Sequence, residues 1–219
     1  MRLEPMKLPP PRFGRSLPFA KALAHRRTTR DIDSRALPTQ LLSNLVWAAC
    51  GVNRTRGPSG AAGLTAASAS NSHEIDVFAV LDRGTYLFQP ALHRLVPVVA
   101  GGLRPLARTP GQAGVTMSAP VQLVFVVDID RLTHTHGFDE PGLHDPAVQK
   151  SYYFVDTELI AGNVYLFAAS HRLAAWFHNC DRAGLKRRLG LGAARRVLFA
   201  QSVGYAAAPA RPARQRRAS

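Results

Sequence analysis

Two short runs of this chain carry side chains suited to holding a ligand. Arg26-Arg27-Thr28-Thr29-Arg30 sets three guanidinium groups beside two hydroxyls. Such forks suit a small phosphate, because each presents paired N–H groups to an oxyanion. The same run at the C-terminal end of a helix would also complement that helix's dipole, so alone it fits either role. Ser68-Ala69-Ser70-Asn71 combines small side chains, on which a flat ring could lie, with an amide that donates and accepts.

Other constellations read as structure. Gly57, Gly60 and Gly63 give GxxGxxG with no strand before it, and Gly190-Leu191-Gly192 lacks a third glycine; neither is a dinucleotide fingerprint. His134, His136, His144 and Asp145 match no ligand spacing, so no metal site is expected. No GxSxG elbow accompanies the available Ser, His and Asp residues. Cys50 ends an apolar helical run and reads as packing.

The elements that must position these residues follow from periodicity and turn chemistry. Residues 1–15 contain four prolines and read as an extended arm. Ser16 can cap a helix over Leu17–Arg27. Apolar positions at helical spacing predict a second helix from Pro38 or Thr39 to Ala49, stopped by Gly51. Val52–Ser72 reads as a long small-residue loop. Strands are expected at Ile75–Leu81, Thr85–Phe88 and Arg94–Val99, with Asp82-Arg83-Gly84 turning the first hairpin. Val121–Asp128, VQLVFVVD, is the best buried strand. Residues 131–150 read as an excursion or lid. An apolar helix is expected over Asp156–Leu173, buried almost all round and partly by another subunit. Asp181 caps a short basic helix to Leu189, and Arg195–Tyr205 is the last strand. Without βαβ units, this order predicts an α+β fold with a largely antiparallel sheet.

Composition narrows the function classes. The 219 residues carry 28 Lys+Arg against 14 Asp+Glu, a formal charge of +14. Residues 1–30 hold +7 of this and residues 209–219 hold +4, leaving +3 on the body. Basic tails on a near-neutral globule read as solubilising; nucleic-acid binding is disfavoured because no base-reading module accompanies them. Two distant cysteines make no disulfide framework, which points to a reducing compartment. With no long apolar run and no secretory h-region, no membrane association and a cytoplasmic location are expected.

Taken in order, the segments resemble the flavin-dependent nitroreductase superfamily, closest to the azoline dehydrogenases of thiazole/oxazole peptide biosynthesis (SagB/ThcOx-type). LPPPRFGRSLPFAKALAHRRTTRDI is similar to that subgroup's proline arm, first helix and Arg-Arg-Ser/Thr-x-Arg motif, and LLSNLVWAACGVNR to its second helix. TAASASNSHEIDVFAV stands where the family has Pro-Ser-x-x-Asn before a strand. GTYLFQPALHRLVPV, APVQLVFVVD, DTELIAGNVYLFAA and VLFAQSVGY follow in family order. The chain departs from the pattern at Ala67, Glu158 and Arg172, the last two at usual glycine positions, and in AAWFHNCD, which lacks a glycine.

The resemblance implies an interleaved homodimer with FMN at each subunit interface, an arm over residues 1–15, an FMN-binding domain over 16–208 and a basic tail over 209–219. It implies that Arg26, Thr28 and Arg30 meet the phosphate and ribityl chain, that Ser68, Asn71 and Gln112 lie by the ring, that Asn163 approaches the partner's cofactor, and that Arg211 completes the phosphate site. It further implies NAD(P)H as co-substrate, a nitroaromatic, quinone or similar small molecule as acceptor, and, for heterocycle oxidation, Lys150 and Tyr152 as a base pair. The alternatives it leaves are an azoline or heterocycle dehydrogenase and a non-catalytic flavin binder.

Overall fold

Strand Val121–Asp128 is buried at every position, and the rest of the structure is arranged around it. The computed structural model describes residues 3–14, 16–57, 60–112, 118–135 and 141–208; Arg211, His136 and the basic tail lie outside them. The strands are β1 (Met6–Lys7), β2 (Val52–Arg54), β3 (Gly63–Leu64), β4 (Ile75–Leu81), β5 (Gly84–Gln89), β6 (Arg94–Ala100), β7 (Val121–Asp128), β8 (Ala174–His178) and β9 (Arg195–Gly204). The helices are α1 (Phe19–His25), α2 (Thr39–Cys50), α3 (Ile129–Thr133), α4 (Pro146–Ser170) and α5 (Arg182–Arg188).

Seven strands form one sheet in the order β1-β6-β5-β4-β7-β9-β8, with every neighbouring pair antiparallel. Period-2 alternation divides the central strands between two faces. Leu123, Phe125 and Val127 of β7 join Val77 and Ala79 of β4 under α2 and α4. Val124 and Val126 join Phe78 and Val80 on the opposite face, under Leu185 of α5. The α+β architecture expected from the element order is therefore the observed one. No helix among the described residues is long and apolar enough to cross a membrane.

Several elements differ from expectation for definite reasons. Helix α4 starts ten residues before Asp156, because the Asp145 carboxylate accepts from the Ala147 amide at 2.7 Å and Pro146 takes the first helical position, where a proline's missing N–H costs nothing. Of the expected excursion 131–150, the described residues include the end of α3, a short helical turn over Pro141–His144 and the first five residues of α4, and Asp145 serves as a cap. At its other end α4 stops at Ser170, since Arg172 has φ +56°. Helix α1 is shorter than expected at both ends, and Ser16 bonds back to Phe13 instead of capping it. The small-residue loop contains the β2–β3 hairpin, and Ala174–His178, for which the sequence suggested no element, is edge strand β8. Gly51 follows α2 as expected, but in an extended conformation; a Cβ there would collide with the Trp47 ring, so close approach sets the glycine. Both cysteines are buried, and burial pushes each thiol up to about 12.

Phe125 is fully buried, 6.0 Å from the Phe177 ring. Phe125→Ala is expected to cost about 3–5 kcal/mol in chemical denaturation, whereas Leu92→Ala at an exposed position should fall within about 0.5 kcal/mol.

Candidate functional site

The arginine–threonine run leaves α1 as an extended segment laid beside strand β8, where the Thr29 amide donates to the Ala175 carbonyl at 2.9 Å. Further on, Ile32 bridges Ala206, and the Asp33 amide donates to the Tyr205 carbonyl at 2.8 Å. Tyr165 of α4 anchors this segment from below. Its hydroxyl accepts the Phe177 amide at 2.9 Å and meets the Thr28 hydroxyl at 3.1 Å. The Arg26 guanidinium lies 5.5 Å from the centre of the Tyr165 ring, and Arg30 the same distance from that of Trp176, both within cation–π reach. The structure therefore brings Arg26, Thr28 and Arg30 onto one short stretch of surface.

Beside that stretch lies a cavity of about 520 Å³, rimmed by Lys21, His25, Arg27, Thr29, Tyr165 and Arg172 over a floor of Ala168 and Ala169 of α4 with Leu17 and Leu173. Among the described residues, no carboxylate lines it and none of its cations makes an ion pair. Arg27 and Thr29 belong to the basic run, but the resemblance implies roles only for Arg26, Thr28 and Arg30; Arg172 stands only as a departure from the pattern, and Tyr165 is not singled out. The signal for the first two is alternation: once residues 26–30 are extended, 27 and 29 point away from 26, 28 and 30.

The second run sits lower on α4. The Ser68 hydroxyl accepts the His73 amide at 3.0 Å. Asn71 donates to the Ala62 carbonyl at 3.2 Å, and its Oδ1 meets the His73 ring at 2.8 Å, so each end of the amide keeps one free site. Burial, followed by the Arg131 charge, pushes His73 below its ordinary range. Ser70, Asn71 and His73 adopt left-handed φ values of 49°, 58° and 51°, which non-glycine residues adopt rarely. The turn is held from α4, where Asp156 Oδ2 accepts the Ala69 amide at 2.8 Å. Asn163 donates to the Thr65 carbonyl at 3.1 Å and lines a groove of about 390 Å³ between α1, α2 and α4.

The remaining candidates stand apart. Gln112 ends a short helical turn and spends its carbonyl on the Thr109 amide at 2.8 Å. Lys150 is exposed and Tyr152 half-buried on the first turns of α4. At 1.5 Å per residue, Lys150 lies about 22 Å and Asp156 about 13 Å along α4 from Tyr165. Within one protomer neither the 68–71 turn nor the Lys150–Tyr152 pair is gathered to the arginine run. Glu158 faces outward on α4, its carboxyl pushed up by partial burial.

A model of the nitroreductase family matches residues 23–205. Among solved structures, a candidate nitroreductase of Ralstonia eutropha is 31% identical, with a TM-score of 0.79 over 93% of this chain and 90% of that one. The NADPH:FMN oxidoreductase of Vibrio harveyi, complexed with NAD+, is 19% identical, with a TM-score of 0.58 over 89% and 74%. The microcin synthetase complex of E. coli contains a chain 14% identical, with a TM-score of 0.67 over 84% and 70%. The last two likenesses show the fold alone. No curated protein matches the chain.

Arg172 holds a left-handed conformation where glycine is the default, while its guanidinium completes the cavity rim. Arg172→Gly is therefore expected to raise stability by about 1 kcal/mol in denaturant titration and to weaken binding of a phosphate-bearing ligand to the cavity.

Proposed function

This chain belongs to the nitroreductase family, and from that premise we propose that it is an FMN-dependent oxidoreductase that takes hydride from NAD(P)H and delivers it to a nitroaromatic, quinone or similar acceptor. The observation that carries the reading is the cation-rimmed cavity beside residues 26–30. Lys21, His25, Arg27 and Arg172, outside any ion pair among the described residues, with the Thr29 hydroxyl and no acid among the described lining, suit the phosphate of FMN. Arg26, Thr28 and Arg30 hold the phosphate and ribityl chain, with Arg27 and Arg172 neutralising charge from the cavity side. Bound FMN supplies a ring that accepts a hydride and gives it up again. Ala67 and Ser68 leave room for that ring to lie flat on the backbone, and Asn71 still has a donor and an acceptor for its polar edge.

The enzyme works as a homodimer that shares each flavin between protomers. Two features of α4 and α1 support this. Val155 and Leu159 of α4 are 58% and 44% exposed, and Phe19 and Leu23 of α1 are 69% and 54% exposed; each pair is spaced i,i+4 and so lies on one helix face. A Cβ at Gly162, farther along α4, would meet nothing, which leaves room for a partner's close approach. The separation of the 68–71 turn from the arginine run also favours a cofactor taking one set from each protomer. The alternative heterocycle dehydrogenase would use the same cofactor site with Lys150 and Tyr152 as base.

Two measurements check this. Under anaerobic conditions the purified protein should show a visible flavin band that bleaches with NADH or NADPH. Arg26→Ala/Arg30→Ala, which removes two charge-assisted contacts, should weaken FMN binding by about a hundredfold or more. Full flavin occupancy in that variant would sink the phosphate assignment, and a band that persists with both nicotinamides would sink the reaction.

A further inference from the structure

Beneath the 68–73 turn, two carboxyl groups are buried against one another. Glu74, immediately before β4, is 0% exposed, and Asp156 of α4 is 4% exposed. Glu74 Oε2 accepts the Ser72 hydroxyl at 2.6 Å, and Asp156 Oδ2 accepts the Ala69 amide at 2.8 Å. Both carboxyls border one small void, and their nearness favours a proton held between them. Two carboxylates have four acceptor oxygens and no donor, so a bond between them requires a proton. Glu74 Oε1 finds no donor in its surroundings, which leaves it to carry the proton toward Asp156. Burial first, and the Asp156 contact second, push Glu74 up to about 7.

The neighbouring charges do not neutralise the pair. From α3, Arg131 donates to the backbone carbonyl of Glu74 at 3.2 Å and ion-pairs with Asp76 of β4 at 2.7 Å. Arg195 of β9 pairs with Asp76 and Asp128. Burial first, and the Arg131 charge second, push His73 below its ordinary range, and the Cys50 thiol of α2 is neutral, pushed up to about 12. A void of about 10 Å³ against Cys50, Ser68, His73, Glu74 and Asp156 has room for about one water.

We propose that Glu74 and Asp156 share one proton, and that this proton latches the turn bearing Ser68 and Asn71, so that the turn is held while the pair is protonated and released when it becomes a dianion. Both residues are positioning residues. Asp156 acts through the Ala69 amide and Glu74 through Ser72 and Asp156. The latch rests on the FMN assignment only for the identity of the ligand it presents.

The sign of the pH dependence follows from the direction of the shift. Because the folded protein binds this proton more tightly than the unfolded chain, the contribution is complete below the ordinary glutamate range. It is lost as pH rises toward and through about 7. Glu74→Gln keeps a hydrogen-bond donor facing Asp156 and removes the titration.

The test uses the purified protein from pH 5 to pH 8.5. At pH 6 the infrared spectrum should show the carbonyl band of a protonated carboxylic acid that is absent at pH 8.5 and absent from Glu74→Gln. The unfolding equilibrium constant of the FMN-free protein, taken relative to Glu74→Gln, should change by about fortyfold between pH 5 and pH 7. FMN affinity should weaken several-fold over the same range in the wild type and stay flat in the variant. A flat stability ratio with no acid band overturns the shared proton. FMN affinity that ignores pH while the stability ratio moves overturns the latch. If FMN fails to bind at any pH while the FMN-free protein still shows the band and the shift, the proton pair stands and the flavin assignment falls. Should Glu74→Gln not fold, Asp156→Asn serves instead: an amide donor facing Glu74 should draw the titration window to lower pH, and an unchanged window overturns the proposal.

Discussion

Three polar side chains on one helix, Asp156, Asn163 and Tyr165, fix the loops that could hold a ligand. Each reaches out of α4 to a backbone group or hydroxyl with few alternatives: the Ala69 amide, the Thr65 carbonyl, and the Phe177 amide together with the Thr28 hydroxyl. Helix α4 is otherwise bolted to the sheet by apolar contacts, with Ile160, Ala161, Val164 and Ala168 buried over the β4–β7 face. Burial of that stripe fixes the helix in rotation and height, and the polar side chains transmit the placement to two loops that lack a core of their own. A shift of α4 by one residue would move all three attachments together. Loops carry function here because a rigid element sets them in place.

The same helix explains why the site looks incomplete in a single chain. Its lower part holds the 68–71 turn and its upper part the arginine run, while the outward face between them carries Val155, Leu159 and Gly162. A cofactor bridging two copies across such a face would draw phosphate-binding cations from one and the ring-supporting turn from the other. Among the described residues, the cations are left outside ion pairs because no carboxylate lines their cavity. The acids of this part of the chain are spent elsewhere: Asp76 and Asp128 on Arg131 and Arg195, and Asp156 on the turn.

How far the sequence could be read depended on whether the deciding interaction was local. Strands β4 and β7 and the cap of α5 by Asp181 follow from runs of neighbouring residues, and so were legible. The start of α4 was not legible because residues 131–150, with scattered His, Pro and Gly, read as an excursion, although after Asp145 a proline is well placed in the first turn. Strand β8 was missed because AAWFH has no alternation; its identity comes from pairing with β9. At the site, Arg26, Thr28 and Arg30 were visible as a run. Arg27, Thr29 and Arg172 needed the extended path of the segment and the left-handed end of α4. The Glu74–Asp156 contact joins residues far apart in sequence, and neither residue type advertises burial.

The central claim is that two copies of this chain share two flavins, each held by cations of one protomer and the 68–71 turn of the other. Native mass spectrometry of the protein saturated with FMN tests it most directly. The account predicts a complex of two chains and two FMN molecules, with no monomer that retains the cofactor. A monomer carrying one FMN, or a dimer that takes up none, would contradict it.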